Sequence, residues 1–158
     1  MIIRVFQTRD ATAVDALALK AFEQYSAHYK PWEEFRGKIG HMSMMPIEII
    51  LAEKVGKIAG AVGFVAPGKV VDSHFDPQWA VIRMLVVDPV FRGQGLGRKL
   101  TEACLERAKS LGCRTIGLHT SPIMEVALSL YLRMGFIKRS DIADIYGVPY
   151  GIYTLELE

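Results

Sequence analysis

The stretch Arg92-Gly93-Gln94-Gly95-Leu96-Gly97-Arg98 limits the folds open to this chain more than any other. An apolar run over residues 81–87, closed by Asp88-Pro89, precedes it, and a helical pattern over residues 96–111 follows it. The predicted order is strand, sharp turn, glycine-rich loop, helix. Three glycines at alternate positions leave main-chain N–H groups bare. A helix beginning there adds its own unpaired donors and the positive end of its dipole. Such a loop can wrap a phosphate or pyrophosphate with main chain alone, and Arg92 and Arg98 add fixed positive charge at its ends. Two other phosphate loops are excluded. The dinucleotide fingerprint G-x-G-x-x-G would need glycine where Arg98 or Leu100 stands. The P-loop needs Gly-Lys-Ser or Gly-Lys-Thr, and neither occurs.

Residues 2–7 read as a strand. Val14, Leu17, Ala18, Ala21 and Phe22 then share one helical face, with Thr8 or Asp10 as the expected cap. Pro31 opens a second helical stretch with Trp32, Phe35 and Ile39 on one side. The aromatic patch between them, Tyr25 to Tyr29, either packs two helices on a sheet or shapes a pocket. Met42, Met44 and Met45 are likewise packing or pocket wall. Residues 48–54 and 57–65 read as a hairpin across Val55-Gly56, and a polar loop over residues 68–77 holds His74 and Asp76. Residues 79–87 are apolar apart from Arg83, which predicts a central strand covered on both faces. Leu96, Leu100, Ala103, Cys104, Ala108 and Leu111 form one helical stripe that Gly112 ends. A short strand spans residues 115–120. A helix runs from Pro122 to Met134, with Gly135 as its stop. Residues 136–145 and 150–157 close as an antiparallel pair across Gly147-Val148-Pro149. The fold class is α/β in the α+β sense: one mixed sheet with helices on both faces, the strand–helix–strand connection through the glycine loop being parallel and right-handed.

The chain has 158 residues, which predicts one domain over residues 1–158. Hydrophobic residues make up 51% and charged residues 23%, enough for a sizeable core. A net charge of +2 argues against nucleic acid as the main partner. No apolar run approaches the ~18 residues of a membrane helix, and the N-terminus lacks the pattern of a signal peptide. Cys104 falls on the apolar stripe, so a buried free thiol and a reducing, cytoplasmic setting are expected, and no metal is.

A second informative stretch is Ser129-Leu130-Tyr131-Leu132-Arg133-Met134-Gly135-Phe136, with Ala127 four residues before Tyr131. It resembles the A-x-x-x-Y-x-x-x-G-F segment of the GNAT superfamily of acyl-CoA-dependent N-acyltransferases, and the loop resembles that family's R-x-x-G-x-G. Together the two motifs cover residues 79–136. The resemblance implies a GNAT-type fold and an N-acetyltransferase that uses acetyl-CoA as co-substrate. It implies that the strand at Leu85, Val86 and Val87 splays from the strand containing Thr120 and takes the pantetheine arm. It sets the pyrophosphate on Arg92, Gly93, Gln94, Gly95, Leu96, Gly97 and Arg98.

The same resemblance implies that Tyr131 protonates the leaving thiolate; on residues alone, a buried helical tyrosine such as Tyr131 is more often packing. Many relatives carry a catalytic carboxylate on the central strand, where this chain has Val81 and Arg83. His119 stands where some relatives have Glu, twelve residues before the tyrosine, and an imidazole suits a base near neutral pH. A bystander His119 hydrogen-bonded to a carbonyl is the alternative, with His28, His74, Asp76 and Glu48 in reserve. Met124 replaces an asparagine that relatives use for the cofactor. The implied acceptor is a small-molecule or peptide amine. Charge gives it no direction, since Glu23, Glu33 and Glu34 are matched by Lys20, Lys30, Arg36 and Lys38. The assembly state is open, a homodimer included. The competing readings are a non-catalytic acyl-CoA-binding sensor or interaction module, and a nucleotide-binding domain.

Overall fold

The structure is a computed structural model that describes residues 1–69 and 72–158. The chain runs β1 (Ile2–Val5), α1 (Ala11–Phe22), α2 (Trp32–Ile39), β2 (Glu48–Lys54), β3 (Lys57–Val65), β4 (Ala80–Val87), α3 (Leu96–Ser110), β5 (Thr115–Thr120), α4 (Glu125–Arg133), β6 (Ile137–Ile145) and β7 (Val148–Glu156). The strands form one seven-stranded sheet in the order β1-β2-β3-β4-β5-β7-β6. Every neighbouring pair is antiparallel except β4 with β5. This is the mixed sheet that the hydrophobic periodicities predict, with the elements in the predicted order.

Two apolar layers sandwich the sheet. On one face Val14, Leu17, Ala18, Ala21 and Phe22 of α1 and Phe35 and Ile39 of α2 pack on Ile49, Leu51, Ala61 and Tyr150. On the other, Leu96, Leu100, Cys104 and Ala108 of α3 pack on Val62, Phe64, Ile82, Ile116 and Leu118. Successive strand residues point to opposite faces, so β3, buried on both, is apolar at nearly every position. Cys104 is a free, fully buried thiol; burial pushes its pKa up to about 12, with Glu48 adding to the effect. Among the described residues, no helix is long and apolar enough to cross a membrane.

Several local expectations are corrected. Neither Thr8 nor Asp10 caps α1 through its side chain. The Asp10 carboxylate instead accepts from the Gln7 N–H at 2.8 Å and pairs with Arg4 at 2.9 Å, tying β1 to the start of α1. Leu111 follows the last turn of α3 and is 43% exposed rather than part of the buried stripe. Pro122 does not begin α4. Ser121 to Met124 form a turn, closed by the Met124 N–H on the Ser121 carbonyl at 3.0 Å. The last hairpin turns on Tyr146-Gly147 (φ 50° and 80°) with Ile145 opposite Val148, so Val148 and Pro149 belong to β7. The aromatic patch divides: Tyr29 is fully buried and stacked on Phe35, ring centroids 3.8 Å apart, while Tyr25 is half-buried. The methionines divide too, Met42 buried and Met44 exposed. Within the loop over residues 68–77, positions 70 and 71 lie outside the described residues.

Candidate functional site

The sheet opens at its one parallel junction. β4 and β5 pair only through Ala80↔Ile116 and Val81↔Gly117. Farther along, β4 pairs with β3 at Gly63↔Arg83 and next at Ala61↔Val86, so Met84 and Leu85 together oppose Val62. Met84 takes up the extra residue in a left-handed conformation, φ 58°. Such a bulge bends its strand, and here it separates β4 from β5. β5 stays with β7 as far as Thr120↔Gly151. The facing edges at Leu85, Val86 and Val87 and at His119 and Thr120 therefore share no ladder bonds. Main-chain donors and acceptors there are open to a ligand.

The glycine loop lies at the mouth of this gap. The Asp88 N–H bonds the Ala59 carbonyl at 2.8 Å, and the Asp88 carboxylate accepts from the Val90 N–H at 3.0 Å, which sets the sharp turn Pro89–Phe91. Gly93 and Gly95 are left-handed, φ 75° and 79°, and Gly95 is the residue that leads into α3. No side chain caps α3, so its first N–H groups are unclaimed. A Cβ at Gly93 or Gly95 would meet nothing within 4 Å, which leaves the loop backbone facing open space.

A cavity of about 370 Å³ joins gap and loop. Leu85, Val86, Val87, Arg92, Gly93, Gly95, Leu96, Gly97 and Arg98 all line it, with Met124, Ala127 and Leu130 contributed by α4 and the residue before it. Among the predicted cofactor residues Gln94 is the exception: its side chain accepts a hydrogen bond from Lys54 outside the cavity. Gln24, Tyr25 and Arg133 also line the cavity; of these, the sequence points only to Tyr25, through the pocket role open to its aromatic patch. Arg92 donates to Gln24 at 3.4 Å, joining the turn that follows α1 to the loop. Nothing in the local sequence around Gln24 signals this, because tertiary packing alone brings α1 there.

Neither Tyr131 nor His119 lines this cavity. Tyr131 follows the lining residue Leu130 but is 4% exposed in the α3-side core, edge-on to Phe136 at 5.5 Å. Burial raises its phenol pKa further above the usual range, with Cys104 adding, so the hydroxyl stays protonated at any working pH. His119 lies on the opposite face, its ring 5.1 Å from Tyr150 edge-on and 6.0 Å from Phe75. Its Nδ1 is buried without a hydrogen-bond partner. Burial first, and then the Arg83 charge, pull its pKa down to about 4, so the imidazole is neutral at pH 7. The expectation of an imidazole titrating near 6.5 is corrected accordingly. Tyr150, pushed up to about 12 by burial, shares a hydrogen bond with the buried Tyr29 hydroxyl. The reserve groups are occupied or distant. His74 pairs with Asp72 at 2.5 Å, Asp76 accepts from the Gln78 N–H at 2.8 Å, Glu48 pairs with Arg107 at 3.1 Å, and His28 is exposed. Met124 stands at the cavity wall, where the Thr120 hydroxyl reaches its sulfur at 3.8 Å. Among the described residues, no three His, Cys, Asp or Glu side chains gather as a metal site would require.

The arrangement suits an anionic ligand with an extended, amide-bearing arm. Main-chain donors and arginines stand at one end and a narrow apolar gap with free backbone groups at the other. The sequence profile of the acetyltransferase (GNAT) family matches residues 12–136. N-acetyltransferase 8F1 of Mus musculus is 29% identical over 140 residues, 82% of this chain and 62% of that protein. The chain spans 62%, 30% and 43% of the lengths of three curated relatives it matches. Among solved structures, ribosomal-protein-alanine N-acetyltransferase from Brucella melitensis superposes with a TM-score of 0.73 at 17% identity, covering 99% of this chain and 100% of that one. The yncA protein of Salmonella typhimurium, determined with its cofactor acetyl-CoA, gives 0.72 at 18% identity, covering 100% and 94%. At these identities the structural matches establish the shared fold.

Proposed function

The chain belongs to the GNAT acetyltransferase family, and from that premise we propose that it transfers the acetyl group of acetyl-CoA to a primary amine by direct attack in a ternary complex. The observation that carries this reading is the continuity of one cavity from the unpaired edge at Leu85, Val86 and Val87 to the glycine loop at the start of α3. Acetyl-CoA supplies the activated thioester. The N–H groups of residues 93–98 hold the pyrophosphate, helped by the α3 dipole and by Arg92 and Arg98. The free edge of β4 hydrogen-bonds the amides of the pantetheine arm, and one of its N–H groups draws negative charge onto the thioester oxygen.

The neutral amine attacks the carbonyl carbon as the carbon–sulfur bond breaks. Tyr131, kept protonated by its burial, is the proposed donor to the departing sulfur, whose free thiol has a pKa of about 8.5. His119, neutral and with Nδ1 free, is the proposed acceptor of the amine's proton, though its depressed pKa makes it a weak base. A relay through cysteine is unattractive, since Cys104 is sealed in the core and its thiol is held protonated.

A specific observation favours a second reading, a non-catalytic acyl-CoA-binding module: Tyr131 and His119 both lie outside the cavity lining. Two measurements separate the readings. Calorimetric titration with CoA should show binding that Gly97→Glu sharply weakens in a folded variant, because the added carboxylate meets the pyrophosphate. Free-thiol release from acetyl-CoA with a panel of amines should show turnover, and Tyr131→Phe should lower it roughly 10- to 1000-fold with CoA affinity unchanged. Binding without thiol release supports the module; unchanged CoA affinity in Gly97→Glu removes the loop assignment.

A further inference from the structure

Arg83 is a half-buried cation on the central strand, and no side chain among the described residues pairs with it. The sheet register fixes its place. Arg83 opposes Gly63, where an added methyl would touch Ile47, so both face the α1 and α2 side. Gly117 faces the same side, where a Cβ would meet Phe75 and Trp79, and His119 follows two residues later with the same facing. The parallel register Val81↔Gly117, carried on by two residues, would bring Arg83 opposite His119, but the ladder stops at Val81. Arg83 and His119 therefore flank the closed end of the gap, on the face away from α3.

Two polar groups on that face have no side-chain partner among the described residues, and the charge of one acts on the ring of the other. One is the Arg83 guanidinium. The other is Nδ1 of His119. The carboxylate nearby on the preceding loop, Asp72, is taken by His74 at 2.5 Å. A planar guanidinium with no side-chain partner is free to match a carboxylate through two parallel hydrogen bonds. Phe75 and Tyr150, which bracket the His119 ring, make the surroundings aromatic.

We propose that Arg83 determines acceptor specificity by holding a carboxylate carried by the amine, so that the acceptor is amino-acid-like. The proposal rests on the acetyl-transfer reading and narrows it. The same charge that draws in a carboxylate repels a polyamine, so selection works in both directions.

The test uses the full chain saturated with CoA, titrated calorimetrically with N-acetylphenylalanine and N-acetylalanine and with the amide of each. The acids should bind roughly tenfold more tightly than the amides, the worth of one charge-assisted hydrogen-bonded pair. Arg83→Met should erase that difference and leave CoA affinity and thermal midpoint in place, while Arg83→Lys should keep part of it. Equal binding of acid and amide, absence of acid binding, or a difference that survives in Arg83→Met overturns the proposal. Failure of the wild-type chain to bind CoA at all instead removes the acetyl-transfer reading, and the proposal with it.

Discussion

His119 exchanges protons differently in the folded and unfolded chain. Its folded pKa is about 4, lowered by burial and Arg83, whereas an unfolded histidine titrates near 6.5. The unfolded state therefore binds the extra proton first as pH falls. Stability contributed at this position is complete above about pH 6.5 and is lost progressively toward pH 4. The expected loss between pH 7.5 and pH 4.5 is on the order of 2 kcal/mol. Urea unfolding at both pH values should show that loss shrinking in His119→Asn, whose side chain does not titrate. An equal pH dependence in the two proteins would mean that the ring is not buried in solution. The same shift removes any limb near pH 6.5 in kcat/KM that His119→Ala could flatten. The sequence shows an imidazole at a strand end. It cannot show the burial, because Phe75 and Tyr150, the rings that surround it, are far apart in the chain.

At the scale of elements, hydrophobic periodicity is enough to order every strand and helix, since each face that packs has to be apolar at its own period. Turns and ends are less legible. Pro149 looks like a turn residue, yet it lies in β7 at the irregularity between Ile142↔Tyr150 and Ile145↔Val148, where it has no ladder partner and its missing N–H costs nothing. The bulge at Met84 is invisible in the sequence, because an extra residue leaves no mark in a run that is apolar on both faces. The Val55-Gly56 turn is legible, and its residue choice is poor: Val55 is 85% exposed and left-handed, φ 53°, a conformation that β-branched side chains resist. Two-residue hairpin turns with both φ positive favour Asn-Gly. Val55→Asn should stabilise the chain by about 1 kcal/mol, raising the thermal midpoint by roughly 2–4 °C. A midpoint that stays or falls would show that the hairpin relaxes out of this turn in solution.

At the scale of the molecule, two halves of the sheet are joined by a two-residue parallel ladder. β1 to β4 form one antiparallel block and β5 to β7 another, with α3 crossing between them. A ligand lying in the gap would add main-chain bonds where the sheet has none, and it would stabilise the fold in proportion to its occupancy, about 2.7 kcal/mol at a concentration 100 times Kd. On the proposed reading the two ends of the cavity make separable demands on such a ligand: the loop would take a phosphate, and the gap an arm with amides. Hydrogen exchange can resolve them. Amides of residues 84–87 that β3 does not claim should exchange quickly in the free chain, as should those of residues 93–98, which no side chain caps. Adenosine 3′,5′-bisphosphate, which has phosphates but no pantetheine, should slow exchange only in residues 93–98. CoA should slow both stretches. If CoA protects the loop alone, the arm does not enter the gap and the proposed acetyl-transfer geometry fails even though the coenzyme binds. If the bisphosphate protects both stretches, β4 and β5 close on each other without an arm between them, and the gap is a hinge rather than a binding slot.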